Sequence, residues 1–394
     1  MTKVVVDLKV DLKSIYERLL QSMDNNITKY DLQFLVKDNL LAFSLSQVIA
    51  YVILLLYPPL VIQTLVQYSH DFVQMMYCLT TSGIYFSIMA RLYSFKYKWT
   101  KARELSTEMN RALERMENSV QVKKIGEQYL LFAEKVFGIV KVTFSFCGSI
   151  LLICSTLLFL LTGNKLLPYE MYIPGIDHTT TIGFLETFTY QIMLTKVGVD
   201  IIICSAGHFF CHMVLEIGHL EILKEHLREF DKLIKDDQIE QDRASICKII
   251  KIIVVEHQSH LKIMRSFNSF CSLQGFIVIM SETAILIILA FVLMCKFWYQ
   301  GIGLILGCCG DMFAVTLAGT FFSIACESFE CAVYASKWYC LPPDLQMNFV
   351  IIMRATQNPV KPTMAGYLPI ELRTFVLCMK HVYTVTMLLY NFVV

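Results

Sequence analysis

Seven long apolar stretches divide the chain, and polar segments of very unequal length separate them. The stretches lie at approximately 39–66, 72–92, 136–161, 187–213, 270–295, 301–326 and 372–394. A helix rises ~1.5 Å per residue, so about 20 apolar residues can cross a ~30 Å hydrocarbon core. The pattern therefore predicts an all-α membrane protein with seven transmembrane helices.

Two of the polar segments also have helical periodicity. Residues 99–135 place charged side chains three or four apart, namely Glu104, Glu108, Arg111 and Arg115. Residues 216–265 repeat apolar positions at the same spacing, beginning Leu220, Leu223, Leu227, Phe230 and Leu233. We expect one extended helix over 99–135, and we expect the fourth and fifth spans to continue as long cytoplasmic helical extensions. Their apolar stripes favour a packed region and an oligomer; a solvated helical hairpin is the alternative.

The charge distribution predicts the orientation. Lys and Arg number 27 in segments 1–38, 94–135, 214–269 and 327–371, against 2 in the remaining connections. Basic residues favour the cytoplasmic side, so the N-terminus is expected to be cytoplasmic and the C-terminus extracellular. The expected organisation is a cytoplasmic segment 1–38, six spans with the ligand pocket in 39–326, a cytoplasmic anchor and assembly region 327–371, and a terminal helix 372–394.

Composition excludes several classes of function. Of 394 residues, 56% are hydrophobic and 17% charged, with a mean hydropathy of +0.55, so a lipid bilayer is the expected environment. The net charge of +1 gives no reason to expect nucleic acid as a partner. No phosphate-binding glycine loop, nucleophile elbow or HExxH motif occurs, and no Cys/His spacing is typical of a metal site. We therefore expect no catalysis, no cofactor and no metal.

Ionisable residues inside the predicted spans are expected to have a function or a partner. Arg91 and Lys141 lie near the ends of spans, where their long side chains can extend to place the charge in water. We therefore expect both residues to anchor their helices at the membrane surface. Lys196 and Asp200 are four residues apart, which predicts an ion pair, more readily structural than a proton relay. His208 and His212 share a helical face, but two ligands alone do not predict a zinc site.

Glu282 and Asp311 have no oppositely charged neighbour on their own helices. Each therefore needs a partner from another helix or from water, and the sequence does not say which.

The outward halves of the helices contain apolar, aromatic and methionine side chains that could enclose a small hydrophobic ligand. The candidates are Phe72, Met75, Met76, Leu79, Ile150, Cys154, Leu158, Phe184, Phe188, Gln191, Ile192, Thr195, Leu306, Cys309, Met312 and Phe313. For each residue singly, plain helix packing is the alternative. Phe188 and Phe313 favour an aromatic volatile ligand through stacking.

The last helix places a polar stripe in a transmembrane span. Its members are Thr374, Cys378, His381, Thr384 and Asn391. They are spaced by three, four or seven residues, which places them on one face of the helix. Polar groups in hydrocarbon usually face protein or water, so the stripe predicts the wall of a water-filled path.

Ordered runs near the C-terminus resemble the signature of insect odorant receptors. They are Trp-Tyr-Cys-Leu-Pro at 338–342, Met-Arg-Ala-Thr-Gln-Asn-Pro at 353–359, Gly366, Phe375 and Lys-His-Val-Tyr-Thr at 380–384. The seven spans, the inverted orientation and the loop Leu-Leu-Pro-Tyr-Glu at 166–170 extend the resemblance to the whole chain in outline.

This resemblance implies an odorant-gated, non-selective cation channel in the plasma membrane of sensory neurons. In that family a ligand-tuned subunit assembles with a shared co-receptor subunit into a tetramer around a central pore, and the last helix lines that pore. Matching Thr384 onward to the family pattern places Leu388 and Phe392 at a hydrophobic constriction, with Asn391 beside it. The chain lacks the co-receptor's long insertion before the fifth span, so the resemblance implies a tuning subunit.

Three other readings remain as alternatives. Gustatory receptors share Thr384 and Phe392 but differ at Val385 and Asn391, where they have Tyr and Gln. A G-protein-coupled receptor would have the opposite orientation, and its usual Asp/Glu-Arg-Tyr and Asn-Pro-x-x-Tyr runs do not occur here. A secondary transporter would be expected to contain internal repeats, and none is visible.

Overall fold

The computed structural model describes residues 11–28, 45–117, 119–163, 165, 167–169, 171, 173–177, 180–234, 243–295 and 299–393. These residues form α1 Leu12–Thr28, α2 Leu45–Gln67, α3 Phe72–Tyr97, α4 Trp99–Met116, α5 Val120–Thr162, α6 Thr181–Leu233, α7 Arg243–Cys295, α8 Tyr299–Ala335, α9 Pro343–Thr356 and α10 Leu372–Val393. A 3-10 turn, Lys337–Cys340, precedes α9. A short antiparallel pair, β1 Thr363–Met364 and β2 Leu368–Pro369, precedes α10.

Helices α2, α3, α5, α6, α7, α8 and α10 cover the seven predicted spans, which confirms the all-α, seven-helix membrane fold. Within the described residues, six of them are long and apolar enough to cross a membrane on those grounds alone. The other helix, α3, is more polar because it carries Thr80, Thr81 and Ser87. Residues 39–44 and 394 of the predicted spans lie outside the described residues.

The long extensions are confirmed. Both α6 and α7 contain 53 residues, so each is roughly 80 Å long at ~1.5 Å per residue. That exceeds twice the thickness of the hydrocarbon core. Residues 214–269 of these helices, with α4 and the first part of α5, make up what we call the extramembrane helical region.

The expectation of one helix over 99–135 is wrong. Helix α4 ends at Met116 and α5 begins at Val120. Ser119 adopts an extended backbone (φ −126°, ψ 131°), which is incompatible with a continuous helix and turns the chain back on itself.

The extramembrane helical region is packed within a single chain. Helix α1 buries Leu12, Ile15, Tyr16, Leu19 and Met23, an i, i+3, i+4 stripe. Its contacts with α6 include a hydrogen bond of 3.2 Å between Tyr16 Oη and His212 Nε2. The apolar stripes thus find partners without a second subunit, which favours the packed region over a solvated hairpin.

Segment 327–371 is tied to α6 and α7 by hydrogen bonds and ring contacts. The backbone N–H of Lys337 donates to Asp231 Oδ1 at 2.8 Å. The ring centroids of Phe230 and Phe349 are 4.9 Å apart. The backbone N–H of Thr363 donates to Asn268 Oδ1 at 2.9 Å. The start of α10 is therefore fixed to the body of the protein.

Candidate functional site

A cavity of about 140 Å³ lies among the membrane helices α2, α3, α5, α6, α7 and α8. Its apolar wall consists of Ile84, Ile88, Phe144, Leu194, Val199, Ile202, Ile285 and Leu304. Its tyrosines are Tyr57, Tyr85 and Tyr169. Four helical glycines, Gly148, Gly198, Gly303 and Gly307, also line it. Gly303 and Gly307 leave room that a larger side chain would fill, whereas Val199 and Ile88 already occupy the positions that a Cβ on Gly148 or Gly198 would take.

Tyr169 closes the cavity from the connection between α5 and α6. Its hydroxyl is 2.9 Å from Thr195 Oγ1, and its backbone carbonyl accepts a 2.8 Å hydrogen bond from Gln191 Nε2. The Tyr169 N–H donates to Gln191 Oε1 at 3.3 Å. Two side chains of α6 therefore hold this connection over the cavity.

Three charged side chains lie together at the polar end of the cavity. Arg91 Nη2 is 3.0 Å from Asp311 Oδ2 and 3.8 Å from Glu282 Oε1. Arg91 is only 4% exposed, so its interpretation as a snorkelling anchor is wrong. The guanidinium points into the bundle because two carboxylates from α7 and α8 face it. This supplies the partner that the sequence required for Glu282 and Asp311 but could not identify.

The predicted pair Lys196–Asp200 is confirmed, with Nζ 2.8 Å from Oδ1. It lies outside the cavity lining, so it is a separate ion pair.

The predicted ligand-binding residues lie on helices that also line the cavity, but mostly nearer to the ends of the membrane region. Thr195 lines the cavity, and Gln191 holds Tyr169. On α3 the lining is 81–91 rather than 72–79, and on α5 it is 144–148 rather than 150–158. On α3, α5 and α6 the cavity therefore lies deeper than the predicted positions, with Tyr169 of the α5–α6 connection in its wall. On α8 the lining is 303–311, nearer to the start of the helix than the predicted 306–313.

The other predicted pocket residues divide by environment. Phe72 contacts Phe291, and Phe188 stacks on Phe184. Met312 is buried near Thr283, and Phe313 contacts Phe375 on α10. The partly buried ones are Met75, Met76, Leu79, Ile150, Cys154, Leu158 and Cys309. Ile192 and Leu306 are exposed.

The polar stripe predicted on α10 is split between two faces. Thr374 and Cys378 are buried against the protein, whereas His381, Thr384 and Asn391 are exposed. Leu388 and Phe392 are 54% and 81% exposed, on the side that no part of the described chain covers. The four predicted pore residues therefore share the outward face of α10.

The buried face of α10 connects it to the cavity wall. Leu389 packs against the hydrophobic cluster that contains Ile285 and Leu304, two cavity-lining residues. Thr386 Oγ1 donates a 3.4 Å hydrogen bond to the carbonyl of Ile287 on α7. The last helix is therefore linked to the cavity wall through this hydrophobic cluster.

The extramembrane helical region contains a second buried polar cluster. Arg115 pairs with Glu256, whose Oε2 is 3.1 Å from His219 Nε2, and His260 Nδ1 is 2.6 Å from Glu216 Oε2. Burial alone would lower the pKa of His219, but its interactions with Glu216 and Glu256 raise the pKa to about 9. Burial alone would raise the pKa values of Glu216 and Glu256, and the facing histidines together with Arg115 lower them to about 2. The charges stabilise one another across three helices.

Two groups of side chains bring possible metal ligands within 4.8 Å of one another. One is Asp24, Cys204 and His208; the other is Glu216, His219 and His260. In the first, His208 Nε2 is 3.1 Å from Asp24 Oδ1. Ion pairs and hydrogen bonds within the chain thus already engage the histidines in both groups, and neither geometry requires a metal.

Comparison with known proteins identifies the chain's relatives. The family model of the 7tm Odorant receptor matches residues 71–383. The chain is 22% identical over 232 residues to Odorant receptor 10 of Aedes albopictus, a match that covers 58% of this chain and spans 61% of that protein's length.

Solved structures have the same fold. The chain is similar to the insect olfactory receptor OR5 from Machilis hrabei, with a TM-score of 0.77, 16% identity, and coverage of 96% of this chain and 98% of that one. For the same receptor in complex with eugenol, the TM-score is 0.78, with 16% identity and coverage of 97% and 100%. The long apolar helices described above, together with the family match, are those of a multi-pass membrane protein. Because the family match extends over residues 71–383, the chain belongs to the insect odorant receptor family.

Proposed function

We propose that the protein is the odorant-tuned subunit of a ligand-gated, non-selective cation channel, and that it works as a heteromer with the odorant receptor co-receptor. The observation that carries the proposal is the apolar, aromatic cavity whose wall residues Ile285 and Leu304 belong to the cluster on which Leu389 of α10 packs. The eugenol complex of the structurally similar receptor supports a small organic ligand for this fold.

The size of the cavity sets the size of the ligand. An engineered apolar cavity of about 150 Å³ binds benzene, and the cavity here measures about 140 Å³. One small volatile molecule with a single ring is therefore a good fit, and its apolar surface would replace unfilled space. Tyr57 and Tyr85, whose rings stack with centroids 4.7 Å apart, provide an aromatic wall.

The conformational change that opens the channel would be transmitted from the cavity to α10 through α7. A ligand that displaces Ile285 or Leu304 changes the cluster on which Leu389 packs. Such a ligand binds one arrangement of α7 and α10 more tightly than the other. The difference between the two affinities sets how far the equilibrium shifts toward the favoured arrangement. We propose that the open channel is the favoured arrangement.

The gate itself would be the outward face of α10. Leu388 and Phe392 are apolar and uncovered in the single chain, as expected for residues that meet equivalent residues of other subunits. A ring of such side chains gates by excluding water, and separating them admits hydrated cations. Thr384 and Asn391 provide polar positions on the same path.

The direct test is co-expression with the co-receptor and recording of currents during application of small volatiles. We expect ligand-evoked currents that reverse near 0 mV in mixed monovalent cations. Surface expression of both subunits without any evoked current across a broad volatile panel would contradict the proposal.

The gate is tested by Phe392→Ser and Leu388→Ser. Because each removes part of the apolar ring, we expect a higher basal current or altered ion selectivity in the assembled channel. Val376→Ser is the matched control, since it lies on an exposed part of α10 at the opposite end of the helix. Normal basal current and selectivity in both gate variants would remove these residues from the pore.

We also propose that the N-terminus is cytoplasmic, on the strength of the 27 to 2 distribution of basic residues. An epitope tag at the N-terminus should be stained after permeabilisation of cells and remain unstained before it. A C-terminal tag should give the opposite result. Staining of the N-terminal tag on intact cells would reverse the proposed topology.

A further inference from the structure

With both carboxyl groups ionised, the polar end of the cavity would have one more negative charge than positive charge. A guanidinium stays protonated in proteins, so Arg91 contributes one positive charge against the carboxylates of Glu282 and Asp311. All three side chains are at least nine-tenths buried. An uncompensated charge in such an environment is strongly unfavourable, so this site needs a further positive charge or a proton.

The hydrogen bonds at this end are also incomplete. Arg91 Nη2 approaches one oxygen of each carboxylate, Asp311 Oδ2 and Glu282 Oε1. The other two oxygens, Asp311 Oδ1 and Glu282 Oε2, are buried and have no hydrogen-bond partner. The hydrogen bonds of Arg91 go from Nη2 to Asp311 Oδ2, from Nη1 to Ser205 and from Nε to Ser87, and none of them reaches these two oxygens. The missing partner is therefore a donor.

The two carboxylates face a space that a ligand can occupy. Glu282 and Asp311 both line the cavity, and its remaining surface is dominated by apolar and aromatic groups. We propose, building on the ligand site of the preceding section, that the preferred ligands carry a basic amine on a small apolar or aromatic body. The ammonium group lies against Glu282 and Asp311, and the body lies against the Tyr57 and Tyr85 rings.

This assignment gives a rank order of ligands. An ammonium supplies both the missing charge and the missing donors, a hydroxyl supplies a donor only, and a hydrocarbon supplies neither. A carboxylic acid in its ionised form adds a third negative charge and is excluded. Hydrogen bonds to charged groups favour the amine by about 10- to 100-fold in concentration over the hydrocarbon of the same shape.

The test uses benzylamine, benzyl alcohol, toluene and benzoate at neutral pH on the purified full-length chain and on the co-expressed channel. Binding is read from the ligand-induced rise in the unfolding temperature of the purified chain, and gating is read from evoked currents. We expect benzylamine to act at a concentration at least 10-fold below toluene, with benzyl alcohol between them. Equal or weaker action of benzylamine would overturn the amine assignment.

Substitutions then test the role of the carboxylates. In Asp311→Asn and Glu282→Gln the ratio of toluene to benzylamine concentrations should fall by at least 10-fold, because the charge is removed at nearly constant volume. Asp200→Asn is the matched control, since Asp200 is a buried membrane carboxylate paired with Lys196 and lies outside the cavity lining. An unchanged ratio in both cavity variants would mean that the carboxylates share a proton and do not bind the ligand.

The two readouts separate the two proposals. A rise in unfolding temperature with benzylamine but no current would support the amine site and contradict the channel proposal. Currents evoked by toluene and not by benzylamine would leave the channel proposal intact and overturn the amine site.

Discussion

At the scale of single residues, the membrane-embedded part depends on one cation. Arg91 joins α3 to α7 and α8 through Glu282 and Asp311. Because Arg91 is only 4% exposed, its charge is not hydrated by bulk solvent and depends on these two carboxylates. Breaking a buried ion pair by removing one partner leaves the other charge uncompensated.

We therefore predict that Arg91→Met destabilises the protein by about 3–5 kcal/mol. The measurement is the unfolding temperature and monodisperse yield of the protein in detergent. The triple variant Arg91→Met with Glu282→Gln and Asp311→Asn should recover part of the loss, because no unpaired charge remains. A loss of similar size in the triple variant would show that the packing of the arginine chain matters more than its charge.

At the scale of elements, close backbone contacts fix the start of α10. A Cβ on Gly319 of α8 would overlap the carbonyl oxygen of Ile370, two residues before α10 begins. Backbone cannot rotate away as a long side chain can, so α8 and the segment that leads into α10 would have to separate. The glycine thus permits a contact that positions the proposed pore helix.

Gly319→Ala should accordingly lower stability and alter gating, despite the higher helix propensity of alanine. Gly138→Ala is the control, because nothing lies within 4 Å of the Cβ it would add in α5. The control should be neutral or stabilising by up to ~1 kcal/mol. Both variants can be compared by unfolding temperature and by the concentration dependence of evoked currents. Equal behaviour of the two would argue against a tight α8–α10 contact.

At the scale of the whole molecule, the membrane region and the extramembrane helical region each contain one buried polar centre that joins their helices. The Arg91 centre lies in the membrane, and the centre of Arg115, Glu216, His219, Glu256 and His260 lies in the extramembrane helical region. The contribution of the second centre to the free energy of unfolding decreases as the pH rises. The raised pKa of His219 means that its stabilising contribution is complete below pH 6.5 and is lost as the pH rises toward about 9.

We predict that unfolding temperature falls between pH 6.5 and pH 9, and that His219→Gln removes much of this decline. His257→Gln is the matched control: burial lowers the pKa of His257 to about 4, so this residue stays neutral throughout that range. A decline of equal size in the wild type and in His219→Gln would show that other groups cause it.

The sequence predicted the helices well and the site less well, for identifiable reasons. Apolar stretches and helical spacing are local, so the spans and the lengths of α6 and α7 could be read directly. The depth of the cavity depends on how the α5–α6 connection folds back, with Tyr169 held by Gln191 and Thr195. The partner of Glu282 and Asp311 likewise depends on which face of α3 turns inward. The depth of the cavity and the identity of this partner therefore both depend on contacts between segments that are distant in the sequence.

Glycines were the available signal that was missed. Gly303 and Gly307 occur in α8 at the depth of the cavity, where a space-filling core would use larger residues. Gly148 and Gly198 lie at the cavity too, but they allow Val199 and Ile88 to pack closely and so mark tight helix contacts.

The uninterrupted length of α6 and α7 makes each helix a lever. From Gly198 at the cavity to Leu233 at its end, α6 is roughly 50 Å long, so a tilt of about 3° at the cavity would move that end by about 3 Å. A displacement of that size is measurable between spectroscopic labels. Occupancy of a small space inside the bilayer could therefore be reported mechanically at a distant surface, where soluble proteins have access to it.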